Sequence, residues 1–366
     1  MGRILVEADI EAAVKGGSVF ACGGGGWADH GRMLGRAAIN AGQPELVSID
    51  ELADDAWVAT AAAIGAPGNT TAWQMLGVDY VKSVQLVEKE LGARIAGLII
   101  GQNGKSSTLN AWLPSAILGT KVVDAVGDLR AHPTGDMGSI GLANSPEQMI
   151  QSAAGGNRAN NNYIELVTRG ATAKVSPILR KAADMAGGFI ASCRNPVAAS
   201  YVKRHAALGG ISMALDLGTA ILKAEKRGDK AVIDAILKQT SGELIGQGRV
   251  TKKAVVYTGE AFDIGTVTIG SGSGALVLHV MNEYMAVDDG NGKRVATYPD
   301  VITTLNLSGV PMSVGEINEG QELLVLRVAK NKIPLSSSVT DPSVYPVVEA
   351  ALGISISSYA LKKAAR

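Results

Sequence analysis

Three short segments of the 366-residue chain carry the residues best able to do chemistry. The first is Phe20-Ala-Cys22-Gly23-Gly24-Gly25-Gly26, a thiol directly before four glycines. Read as a strand running into a helix, it leaves backbone N–H groups open at a helix N-terminus. Such a site holds a phosphate, a carboxylate or a developing oxyanion. The same N–H groups would acidify the neighbouring thiol, which makes Cys22 a candidate nucleophile. Two other readings stay open: a tight packing turn without ligand, and a dinucleotide fingerprint, Gly23-x-Gly25-x-x-Ala28 followed by Asp50.

The second segment, Gly101-Gln-Asn-Gly-Lys-Ser-Ser107, offers Asn103, Lys105 and Ser106 as donors at another strand-to-helix junction. Donors placed there polarise a carbonyl or bind a carboxylate; the plain alternative is a capping loop with an exposed lysine. Ile99 stands where a P-loop requires glycine, which disfavours ATP chemistry. The third segment, Asp124 to Asp136, gathers three aspartates, Arg130 and His132 just past a strand. His132 suits general acid or base work, and Asp124 or Asp128 would orient it or hold a divalent metal. Arg130 would pair with a substrate carboxylate. The cofactor expectation is therefore none or a divalent metal. Zinc is poorly supported, because the four histidines, His30, His132, His205 and His279, and the two cysteines, Cys22 and Cys193, show no paired ligand spacing. No G-x-S-x-G elbow marks a serine hydrolase.

Positioning these segments takes alternating elements. Strand-like runs at residues 18–22, 46–50, 57–64, 96–100 and 121–124 are separated by helix-like spacing at 7–15, 31–41, 78–91 and 109–118. That alternation predicts an α/β N-terminal domain, residues 1–165, with a largely parallel sheet whose strand ends face the ligand. Gly and Asn interrupt the pattern at 151–165. The second domain, 166–366, opens with helical segments at 176–186 and 196–226. From 254 on it runs through short strands with the hairpin signal Asp289-Gly-Asn-Gly292, predicting a β-rich, sandwich or barrel-like fold with a few helices.

Lys+Arg and Asp+Glu both number 34, so no basic footprint for nucleic acid exists. No apolar run reaches the roughly 18 residues of a membrane span. Two cysteines give no disulfide framework and the first residues carry acids where a signal peptide needs an apolar run, so a cytoplasmic protein is expected. Neutral charge and a β-rich second half are compatible with a homo-oligomer.

The motifs Phe20-Ala-Cys-Gly-Gly-Gly-Gly26, Gly31-Arg32-Met-Leu-Gly35, Ile64-Gly-Ala-Pro67 and Val123-Asp-Ala-Val-Gly-Asp-Leu-Arg-Ala-His-Pro133 together resemble the S-methyl thiohydantoin desulfurase family. The resemblance extends through Asn282-Glu283, Tyr298-Pro299-Asp300-Val-Ile302 and Gly320-Gln321, most of the chain. It implies an α/β and a β-rich domain and a small-molecule substrate. It also implies hydrolysis at a five-membered thiohydantoin or hydantoin-like ring, with methanethiol or sulfide leaving, as in sulfur-metabolite breakdown such as ergothioneine catabolism. Many relatives carry glutamate before Gly-Gly where this chain has Gln102-Asn103-Gly104, and a second acid where it has Val126. Both departures remove a carboxylate and argue against carrying over a metal site. In the hydrolase reading, N–H groups of Gly23, Gly24, Gly25 and Gly26, with Asn103, Lys105 and Ser106, stabilise ring charge while Cys22 or water attacks. A nucleotide-binding oxidoreductase and a non-catalytic subunit of a hydantoinase-like assembly remain as alternatives.

Overall fold

In the computed structural model, which describes residues 2–65, 74–258 and 261–362, the chain builds two sheets around a shared helical layer. Ala66 and Pro67 of the third motif lie outside the described residues. The first sheet runs in the order Arg3–Ile4, Glu45–Val47, Lys121–Asp128, Gly97–Gln102, Trp57–Gly65, Phe189–Ala198, Met149–Gly155, Ile164–Gly170, with Ala207–Leu208 added beside Lys121–Asp128. Only Glu45–Val47, Lys121–Asp128, Gly97–Gln102 and Trp57–Gly65 are mutually parallel. The remaining pairings are antiparallel, so the sheet is mixed rather than largely parallel. It also draws strands from both sides of residue 165, because Phe189–Ala198 sits between Trp57–Gly65 and Met149–Gly155.

The second sheet is antiparallel at every pairing, in the order Arg294–Thr297, Glu283–Asp289, Leu276–Met281, Asp263–Ile269, Glu243–Tyr257, Glu322–Val328, Val301–Leu305, Pro311–Met312. It curls, so that Val287 and Ala296 near one edge share a core with Ile302 and Val325 near the other. The β-rich character expected after residue 254 is present, and Glu243–Tyr257 starts it earlier.

Two expected elements are corrected. The segment 196–226 is not one helix: Pro196 lies in the strand Phe189–Ala198, and Ala199–His205 and Gly210–Glu225 are separate helices. Residues 18–22 do not form a strand: the helix Glu7–Phe20 takes in Ser18 to Phe20, and Ala21 and Cys22 turn into the glycine run. Ser18-Val-Phe reads as a strand because an apolar run this short has no helical period. The helix is buried on all sides there, with Gly16, Gly17, Ser18, Val19 and Phe20 all inside. Its packing partner is the helix Gly210–Glu225. A Cβ on Gly16 would lie 1.7 Å from the Ala214 carbonyl oxygen, and one on Gly218 would lie 1.8 Å from that of Ala12. The two glycines thus let the helix backbones touch. The same core cluster takes in Leu98 and Val122 of the first sheet and Val301, Leu305 and Leu326 of the second, joining the halves through one apolar interior. On the opposite face of the first sheet, the helix Thr172–Met185 packs Leu179, Ala182 and Ala183 against Ile64 and Ile190.

Candidate functional site

A cavity of about 430 Å³ opens between the two sheets, at the carboxyl ends of Trp57–Gly65 and Gly97–Gln102. This is where open α/β sheets keep their ligands. Its wall combines Gly25 and Gly26, the loop His132 to Asp136, the helix Thr172–Met185 and Glu283 from the second sheet. From the helix come Ala173, Ser176, Pro177 and Arg180, whose spacing of three and four residues puts them on one face.

His132 is held by its own backbone, whose N–H donates to Gln102 Oε1 at 3.0 Å. Its Nδ1 faces Asp128 Oδ2 at 3.8 Å. That carboxylate accepts the Tyr298 hydroxyl at 2.6 Å. Burial, reinforced by Arg194 and Arg130, pushes the imidazole down to about 3, so it is neutral at physiological pH and able to take a proton. Burial pushes Asp128 up to about 7, against the opposing pull of Tyr298 and Arg130. Asp128 is therefore half-ionised near neutrality, behind the imidazole.

Apart from Gly25 and Gly26, the other sequence candidates stand around the cavity rather than in its wall. Cys22 is fully buried, its thiol pushed up by desolvation and 4.0 Å from Thr303 Oγ1. It follows a helix C-terminus, where the dipole opposes an anion instead of favouring one. Asp124 Oδ1 accepts the N–H groups of Ile211 and Ser212, both at 3.0 Å, which makes it the N-terminal cap of Gly210–Glu225. Asn103 donates to the carbonyls of Leu129 and Gly210, and Lys105 Nζ pairs with Glu316 Oε2 at 2.5 Å. Ser106 donates its N–H to the Gly25 carbonyl at 3.1 Å. Arg130 is buried and donates to the carbonyls of Ala131 and Asp300 at 2.8 and 3.0 Å, so its guanidinium is already engaged. Gly23 and Gly24 are occupied as well: the Gly23 carbonyl accepts Val314 N–H and the Gly24 N–H donates to Ala21. Gly25 packs on Gly104, its would-be Cβ 2.7 Å from the Gly104 Cα. Much of the glycine excess there is backbone packing.

Five charged residues that sequence reasoning did not assign to the site line the cavity: Asp136, Arg180, Lys181, Arg194 and Glu283. Arg180 donates to the carbonyls of Ala261 and Pro133 and lies 4.0 Å over the Phe262 ring, and burial lowers it to about 10. Burial also lowers Arg194 and raises Asp136, whose strongest charged neighbour is Arg194. Polar atoms that have no protein hydrogen-bond partner concentrate here: Asn110 Oδ1, Thr134 Oγ1, Asp136 Oδ1, Arg194 Nε and Glu283 Oε2. Buried polar atoms are normally satisfied, so this cluster marks a place built for a ligand. The helical-face spacing around Arg180 was the available signal for it. Arg194 and Glu283 sit in apolar strands and gave none by type or spacing.

The dinucleotide alternative loses its geometry. A helix, not a strand, precedes the glycines, and Asp50 is an exposed residue paired with Lys203. Among the described residues no three His, Cys, Asp or Glu side chains come together in a metal-binding group.

Residues 8–164 match the family model described as S-Me-THD-like, N-terminal domain, and residues 171–336 match S-Me-THD-like, C-terminal domain. The chain belongs to the S-Me-THD-like family. Both family segments contribute to the cavity, His132 from the first and Arg180, Arg194 and Glu283 from the second; Ser343, Val344 and Val347 lie beyond them. A crystal structure of a protein from Chromobacterium violaceum has a similar fold, with a TM-score of 0.72, 21% identity and 96% of each chain covered. No curated protein matches the chain. No helix among the described residues is long and apolar enough to cross a membrane.

Proposed function

We propose that the protein hydrolyses the C–S bond of an S-methyl thiohydantoin, releasing methanethiol and leaving the hydantoin. The observation that carries this reading is a neutral His132, its Nδ1 3.8 Å from the Asp128 carboxyl, in the wall of a cavity that also holds two arginines, in a chain of the S-Me-THD-like family. The ring carbon bearing sulfur is bonded to nitrogen on both sides and is electrophilic. Water adds to it as His132 takes one of its protons, with Asp128 stabilising the imidazolium that forms, and the C=N electron pair moves to the ring nitrogen. The C–S bond then breaks as the carbonyl forms, His132 returns its proton to the departing sulfur, and the remaining water proton is balanced by the one gained at the ring nitrogen. Sulfur leaves as methanethiol and the histidine is neutral again.

Arg180 and Arg194 stabilise negative charge in the cavity, on the ring or on a carboxylate attached to it. The proposal thus moves to them the carboxylate-binding role that sequence spacing suggested for Arg130. Direct attack by water is favoured over a covalent cysteine because Cys22 lies outside the cavity wall and its thiol is held protonated.

A panel of S-methyl thiohydantoins, thiohydantoins and hydantoins, assayed with a thiol reagent with and without chelator, tests this. Thiol release from the S-methyl rings, unaffected by chelator, is the expected result. Inactivity on every ring would overturn the reading and favour a non-catalytic subunit.

A further inference from the structure

Resting on that reading, we propose that Glu283 is a second catalytic residue, the acid that protonates the ring nitrogen as water adds to the neighbouring carbon. The pair Asn282-Glu283 stands at the one-residue connection between Leu276–Met281 and Glu283–Asp289. Asn282 takes the left-handed backbone there, φ 56°, a conformation Asn tolerates better than most residues. Its side chain locks the connection: Oδ1 accepts the Asp263 N–H at 2.8 Å and Nδ2 donates to the Ala261 carbonyl at 3.3 Å. The next residue, Tyr284, donates its N–H to the Cys22 carbonyl at 2.8 Å, which draws the strand against the glycine run. Between these two anchors Glu283 lines the cavity. It is 4% exposed, and its Oε2 has no hydrogen-bond partner.

Gly24 borders the carboxyl. A Cβ on Gly24 would lie 2.1 Å from Glu283 Oε1, so a larger residue there would shift it. The groups facing it are Arg130 from the loop after Lys121–Asp128, Arg180 from Thr172–Met185, Asp263 at the start of its strand, and the Cys22 thiol. The two arginines favour ionisation, Asp263 opposes it, and burial outweighs all of them, pushing the carboxyl up to about 8. It is therefore a proton donor at neutral pH. Asp136, the half-buried acid of the cavity, is likewise raised by desolvation, against the pull of Arg194.

The proton balance closes. Water's oxygen bonds to the ring carbon while one water proton goes to His132. The C=N electron pair moves to nitrogen, which takes the Glu283 proton. On collapse, the Glu283 carboxylate takes the remaining hydroxyl proton as the carbonyl forms, and His132 protonates the leaving sulfur. Both residues finish as they began.

The experiment is the pH profile of kcat for methanethiol release by the wild type and Glu283→Gln, with equilibrium binding of the hydantoin product as the check on folding. The wild-type rate should fall as pH rises through about 8. Glu283→Gln should lose about 10²- to 10⁴-fold in kcat, bind product as the wild type does, and lack that alkaline limb. A wild-type profile flat through this region overturns the proposal without recourse to any variant, as does a Glu283→Gln enzyme that turns over at the wild-type rate. A wild type that releases no thiol overturns the hydrolase reading itself, and the proposal with it.

Discussion

At the scale of the residue, the proposed mechanism makes His132 and Asp128 one unit whose roles separate by pH. His132→Ala is expected to lose about 10²- to 10⁴-fold in kcat in a thiol-release assay, the usual range for a general base. Because Asp128 titrates at about 7 and only its carboxylate stabilises the imidazolium, kcat/KM should rise with pH through that value. Asp128→Asn should flatten this acid limb, and a profile unchanged by the substitution would detach Asp128 from the histidine. Arg194→Ala should raise KM for rings bearing a carboxylate more than for neutral ones, seen by comparing the two substrates. His132 was legible in the sequence because aspartates and an arginine crowd around it in a few residues. Glu283 was quoted there only as part of a motif, since a lone glutamate in a strand shows its chemistry only once burial and Gly24 are seen together.

At the scale of the element, the glycines and Asp124 act through helices. Asp124 caps Gly210–Glu225, so Asp124→Ala should cost roughly 0.5–2 kcal/mol of stability and leave kcat unchanged. Thermal unfolding beside the activity assay checks both halves of that statement; a large loss of kcat at unchanged stability would return Asp124 to the chemistry. The strand rhythm of the first half was readable from its apolar runs because each strand is bounded by turn residues. The segment before the glycines was not, because full burial erases the polar face by which a helix is recognised. The position of Phe189–Ala198 inside the first sheet was not legible either, since it depends on long-range antiparallel pairing with Trp57–Gly65. A helix in place of the expected strand puts Cys22 after a helix C-terminus instead of at a strand end.

At the scale of the whole molecule, the cavity trades stability for proton chemistry. Glu283 is raised from an ordinary 4.5 to about 8, so its contribution to stability is complete below about 4.5 and is lost as pH rises through about 8. His132 is lowered from 6.5 to about 3, so its contribution is present above about 6.5 and is lost as pH falls toward 3. Glu283→Gln should therefore gain thermal stability relative to the wild type at alkaline pH and show less gain under mildly acidic conditions, measured as Tm at the two. The most direct test of the whole account is single-turnover methanethiol release from an S-methyl thiohydantoin by wild type, Cys22→Ser and His132→Ala side by side. The account predicts equal rates for wild type and Cys22→Ser, and a loss of about 100-fold or more for His132→Ala. No thiol from the wild type, or a dead Cys22→Ser beside an active His132→Ala, would contradict it.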